Sequence, residues 1–92
     1  MNKDLERFFT FLEFCVKFKQ QETSTRDLLL TWLVFQMNSE QREMVDDQLE
    51  STILFCKDKY VDTYQLALEM KRLFSYAEHE ADAILQQRED SL

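Results

Sequence analysis

Apolar residues recur along this chain at spacings of three and four, the period of a helix with one buried face. From about Lys3 to Gln20, Leu5, Phe8, Phe11, Leu12, Cys15, Val16 and Phe18 fall on one such face, with Phe9 and Phe14 at its two edges. Asn2 is a candidate N-cap. Asp4 and Glu6 occupy the first turn and Lys17 and Lys19 the last, each with the sign that suits the helix dipole.

The pattern changes in the next segment. Between Leu28 and Met37 only Thr31 and Gln36 are not apolar, so a helix over about 26–37 has no broad polar face. A helix that is apolar all round belongs in an interior. This one is expected at the centre of the fold, capped by Thr25 (or Ser24) and stopped by Asn38.

The third helix is expected over about 40–59, with Val45, Leu49, Ile53, Cys56 and Tyr60 as its stripe. Asn38 and Gln41 stand at the spacing of a capping box. The same signature recurs in VDTYQL. There Asp62 is the expected N-cap, Gln65 its reciprocal partner, and Val61 and Leu66 a hydrophobic staple, which starts a fourth helix at Thr63. That helix runs to about Arg88, with Ala67, Met70, Phe74, Ala77, Ala81 and Ile84 forming a seam at alternating spacings of three and four. Its polar end, QQREDSL, is expected to fray.

Short polar links make consecutive helices antiparallel neighbours. The expected fold is all-α: a single compact four-helix bundle spanning residues 1–92, with a long C-terminal helix. Composition agrees, because the chain contains no Gly and no Pro, the residues that turns and bulges of sheets usually require. At 92 residues, 45% hydrophobic and 32% charged, it has material for one core and no run approaching a membrane span.

Catalytic and metal chemistry find little support. His79, the one histidine, lies in AEHEADA; a zinc-binding H-E-x-x-H would need a second histidine where Ala83 stands. An E-x-x-H di-iron arrangement fails at Tyr76. Cys15 and Cys56 are not in a C-x-x-C pair and project onto apolar faces, where a thiol stays protonated. Without glycine there is no ordinary phosphate-cradling loop. The chain is expected to be non-enzymatic, without cofactor or metal. The N-terminal apolar stretch, broken by Glu6, Arg7, Glu13 and Lys17, does not resemble a secretory signal, which points to the cytoplasm and to reduced thiols.

Charge then shapes the choice of partner. The net charge is −7, and all of it falls in residues 38–92, because residues 1–37 carry five basic and five acidic groups. Direct binding to nucleic acid phosphates is disfavoured by that sign, whereas a basic protein surface is compatible. Glu40, Glu43, Asp47 and Glu50 line one face of the third helix, and Met44 and Phe55 project on a side away from its core stripe. The expected partner-binding set is therefore Phe9, Phe14, Glu43, Met44, Asp47, Glu50 and Phe55: apolar anchors with an acidic rim. The matching function is a small acidic regulator or inhibitor that occludes a partner protein. Its size and charge also suit inhibitors encoded by phages or mobile elements. An imitation of nucleic acid and a self-associating structural unit are the alternatives. A homodimer is one way to cover an apolar second helix.

Overall fold

Helices α1 (Lys3–Lys17), α2 (Glu22–Thr31), α3 (Ser39–Cys56) and α4 (Val61–Asp90) make up the fold, and α2 runs on into a π-helical segment, Trp32–Gln36. This structure, a computed structural model, describes residues 3–18 and 22–90, with backbone alone at 22–25 and at 89 and 90. The fold is all-α and four-helical, as the apolar periodicity predicts. Asn2, Lys19 and Gln20, to which the sequence reading gives roles in the first helix, lie outside the described residues.

The centre belongs to α4, not to the second helix. With 30 residues, α4 is roughly 45 Å long at 1.5 Å per residue, and it sets the 50 Å long dimension of the molecule. Every other helix packs against it. Its seam is buried as expected through Ala67, Met70, Phe74, Ala77 and Ala81, and the small alanines let neighbours approach closely. Ile84 is the member left exposed.

The directions follow from contacts along α4. Val16 of α1 and Phe18 just after it border a groove with Asp62 and Leu66, whereas the Phe8 ring meets Phe74 further along, so α1 runs antiparallel to α4. In α3, Arg42 pairs with Asp82 while Glu50 pairs with Lys71, so α3 is antiparallel too. Arg26 reaches Glu80 and Phe35 lies under Arg88, so the second helix runs with α4 over its C-terminal half.

The second helix is consequently covered on one side only. Leu29 and Leu33 are buried, and Leu30, Trp32, Val34 and Met37 pack partly against the core. Trp32 lies against Phe8 and Phe11, at ring-centroid distances of 5.4 and 6.1 Å. Leu28 is exposed, and Phe35 is 67% exposed under the Arg88 guanidinium. The helix also starts at Glu22, so Thr25 and Ser24 lie inside it instead of capping it. Ser and Thr cost only a few tenths of a kcal/mol in a helix, too little to stop one anchored downstream by Leu29 and Leu33.

The two capping boxes of the sequence fare differently. At α3 the box is complete: the Gln41 N–H donates to Asn38 Oδ1 at 2.8 Å, and the Asn38 N–H donates to Gln41 Oε1 at 3.0 Å. Met37 and Asn38 are extended, which separates this helix cleanly from the π-helical segment. Asn38→Ala should lower stability by about 1 kcal/mol. Chemical denaturation would reveal this as a reduced midpoint at unchanged slope; an unchanged midpoint would show that the box contributes nothing.

At α4 the helix begins two residues before Thr63. The Tyr64 N–H donates to the Tyr60 carbonyl at 2.9 Å, which places Asp62 inside the first turn, and Val61 is exposed instead of stapled to Leu66. The cause lies in the preceding turn. Cys56 ends α3, its carbonyl accepts from both Lys59 and Tyr60 N–H groups, and the chain re-enters a helix at once. Tyr60, expected on the buried stripe, is left exposed at this tip. No described residue has a positive φ, so the glycine-free chain turns without left-handed caps.

Candidate protein-interaction surface

The outward side of α3 carries most of the expected partner-binding residues. Met44 is 47% exposed and Phe55 64%, eleven positions apart and therefore about three turns along one side of the helix. Glu43 and Asp47 are exposed beside them, together with Glu40 in the first turn. Glu50 is exposed too, but its carboxylate accepts from Lys71 Nζ at 2.6 Å. Asp46 approaches the same ammonium at 3.4 Å. The hydrogen bond to Glu50, with Asp46 beside it, holds Lys71 above its ordinary pKa. The acidic stripe is thus divided: Asp46 and Glu50 tie α3 to α4, while Glu40, Glu43 and Asp47 face water.

Phe9 and Phe14 have different fates. Phe9 is half-buried against the core and is not part of the α3 surface. Phe14, 41% exposed, lies against Phe18 with ring centroids 4.7 Å apart at the end of α1. Phe18 is 52% exposed, although its spacing places it on the core face. It falls one residue past the last helical position, at the rim of the groove that α1 forms with Asp62 and Leu66.

Exposed apolar side chains gather at this end of the molecule. Leu54 (76% exposed), Phe55, Tyr60 and Val61 surround the α3–α4 turn, and Phe14 and Phe18 end the helix that borders the start of α4. The Phe55 ring stacks on Tyr60 at 6.1 Å, and the Lys59 ammonium lies 5.4 Å from its centroid. Sequence reasoning missed Leu54, Phe18, Tyr60 and Val61. Phe18 and Tyr60 have the periodicity of buried residues and Val61 the position of a staple, whereas Leu54 continues the acidic face of α3 at the same spacing as Glu43, Asp47 and Glu50.

Among the described residues, no group of three or more His, Cys, Asp or Glu side chains is placed to hold a metal ion. His79 is exposed beside Tyr76 and Glu80 on α4. Both cysteines are free and buried, and burial pushes the Cys15 thiol up to about 11. No helix among the described residues is long and apolar enough to cross a membrane.

The chain matches no family model, no curated protein and no solved structure. Its functional reading therefore rests on the surface itself. Scattered exposed apolar residues are normal on any protein. What separates this surface is the alignment of Met44 and Phe55 on one helix, with three unpaired carboxylates along the same helix and further aromatics at its end.

Proposed function

We propose that this protein is a non-enzymatic binding module, a small acidic regulator or inhibitor that docks the outer side of α3 on a basic surface of a partner protein and occludes it. The observation that supports this reading is the exposed pair Met44 and Phe55 beside Glu43 and Asp47. Burying the two side chains against a partner would supply the apolar part of the affinity, and the carboxylates would steer the encounter and set its register. A cytoplasmic location fits the two reduced, buried thiols. Imitation of nucleic acid is the weaker reading, since Lys71 already neutralises Asp46 and Glu50 and shortens the anionic stripe.

Two variants test the proposal separately. Met44→Ser with Phe55→Ser should reduce capture of the partner from the native host at any ionic strength. Glu43→Lys with Asp47→Lys should reduce capture mainly at low salt, because exposed charges are screened as salt rises. Both pairs leave the buried core and the Lys71 contacts intact, so far-ultraviolet circular dichroism should be unchanged. Wild-type capture by both variants would overturn α3 docking.

A further inference from the structure

Cys15 and Cys56 are buried, at 7% and 5% exposure, on different helices. The register of the bundle sets their heights along α4. In α1, Phe8 meets Phe74 and Val16 borders a groove with Leu66, so residue 15 falls level with Ala67. In α3, Arg42 pairs with Asp82 and Glu50 with Lys71. Carried to the end of α3, that register brings residue 56 to the same turn of α4. Ala67 is itself buried there, the small member of the seam that lets both neighbours approach. The two helices run parallel and pack on each other as well as on α4. Gln41 of α3 lines one cavity with Leu5 and Phe8 of α1. From that cavity the buried sides continue downward together, through Leu12 to Cys15 and through Val45 and Leu49 to Cys56. Both thiols thus project from neighbouring helices into one layer of the core.

We propose that Cys15 and Cys56 are the two halves of a redox-sensitive staple, a disulfide that locks α1 to α3 when the protein is oxidised. Helices packed about 8–10 Å apart bring facing Cα atoms within the about 4.4–6.8 Å that a disulfide spans. The oxidant is another disulfide, of the kind oxidised glutathione provides. One protein thiolate attacks it, forming a mixed disulfide and releasing one glutathione thiolate; the other protein thiolate then displaces the second. The two cysteines lose two electrons and two protons, and the oxidant is reduced to two thiols. Burial pushes the Cys15 thiol up to about 11, so in the closed molecule it stays protonated, and exchange begins when this end opens. The bond joins residues 41 positions apart, across a loop that contains the whole second helix. It also fixes the adjacent Phe14 and Phe55, which are exposed aromatics at this end.

Refolding the full chain from urea in a glutathione redox buffer tests the staple, because burial does not limit access to the thiols during refolding. The wild type should emerge as a monomer lighter by two hydrogen atoms in intact mass, with Cys15 and Cys56 joined in peptides digested without reductant. Its far-ultraviolet circular dichroism should match that of the reduced protein. Its thermal midpoint should be higher by about ten degrees or more, since the bond closes a long loop of the unfolded chain. Cys15→Ala and Cys56→Ala, each compared with its own reduced sample, should gain nothing in midpoint from the same buffer. A wild type that keeps both thiols, carries glutathione on both, or links between chains overturns the pairing. So does a crosslinked form that melts at or below the reduced one, because the bond would then suit only the unfolded chain.

Discussion

Phe74→Ala should unfold most of this protein at temperatures the wild type tolerates. Phe74 is fully buried on α4, the helix that every other element packs against. Its ring meets Phe8 edge-on at 5.6 Å and 72°, and Phe8 in turn lies against Trp32, so one side chain joins α4, α1 and the second helix. Truncating a buried Phe to Ala costs about 3–5 kcal/mol through lost transfer energy and the cavity left behind. A domain of this size has roughly 5–15 kcal/mol in all. Each kcal/mol moves the midpoint of a small domain by about 4–8 °C. The expected drop is therefore more than about ten degrees, read by circular dichroism on heating. Phe55→Ala is the control: its ring is exposed at the α3–α4 tip, and the midpoint should move by no more than a degree or two. A small shift at Phe74 would mean that the aromatic junction is not the core's keystone.

That junction also shows how far the sequence could be read. Phe8 and Phe74 were legible because each sits in a stripe of three-and-four spacing on a helix with a polar opposite side, so periodicity alone aims them inward. The second helix defeated the same reasoning. Being apolar all round, it carries no preferred direction, and its composition points to the middle of the fold. The middle instead went to α4, whose length and alanine seam let three neighbours close on it. The second helix was left with Leu28 and Phe35 in contact with water. Ends were harder still. The Asn38 box formed because extended residues precede it, whereas the equivalent residues around Asp62 were absorbed into a helix that restarts straight after the Cys56 turn. Local signals propose a helix start, but the preceding turn decides whether the chain is free to use it. For the candidate surface, Met44 and Phe55 were legible because they fall off the α3 stripe. Phe18 and Tyr60 were not, because their exposure depends on where neighbouring helices end.

Arg42→Met should be the most damaging substitution of a charged residue. Arg42 is almost fully covered, with 11% of its side chain exposed. One Nη donates to Asp82 at 2.8 Å and lies 3.9 Å from Glu78; the other donates to the Leu33 carbonyl at 3.0 Å. Leu33 is among the last four residues of the π-helical end, whose carbonyls have no onward N–H, so the guanidinium satisfies a group at the negative pole of the helix. Removing it strips a buried carbonyl and a half-buried carboxylate of their partner, a loss of about 2–3 kcal/mol. Arg42→Lys should recover only part of this, since one ammonium lacks the fork that spans both acceptors. The loss should also depend on pH. Burial raises the Glu78 pKa, Arg42 opposes that rise, and Asp46 and Asp82 add to it. A carboxyl whose folded pKa lies above its unfolded value binds its proton more tightly when folded, so its contribution to stability grows as pH falls through that folded value. Taking Arg42 away raises the Glu78 pKa further and enlarges this term. The stability gap between wild type and Arg42→Met should therefore narrow on going from about pH 7 to about pH 5, as protonation relieves the stranded carboxylate. Urea midpoints measured for both proteins at the two pH values would show it. A gap that stays constant would mean that Glu78 is not held by Arg42, and that the cost lies in the contacts to the Leu33 carbonyl and Asp82.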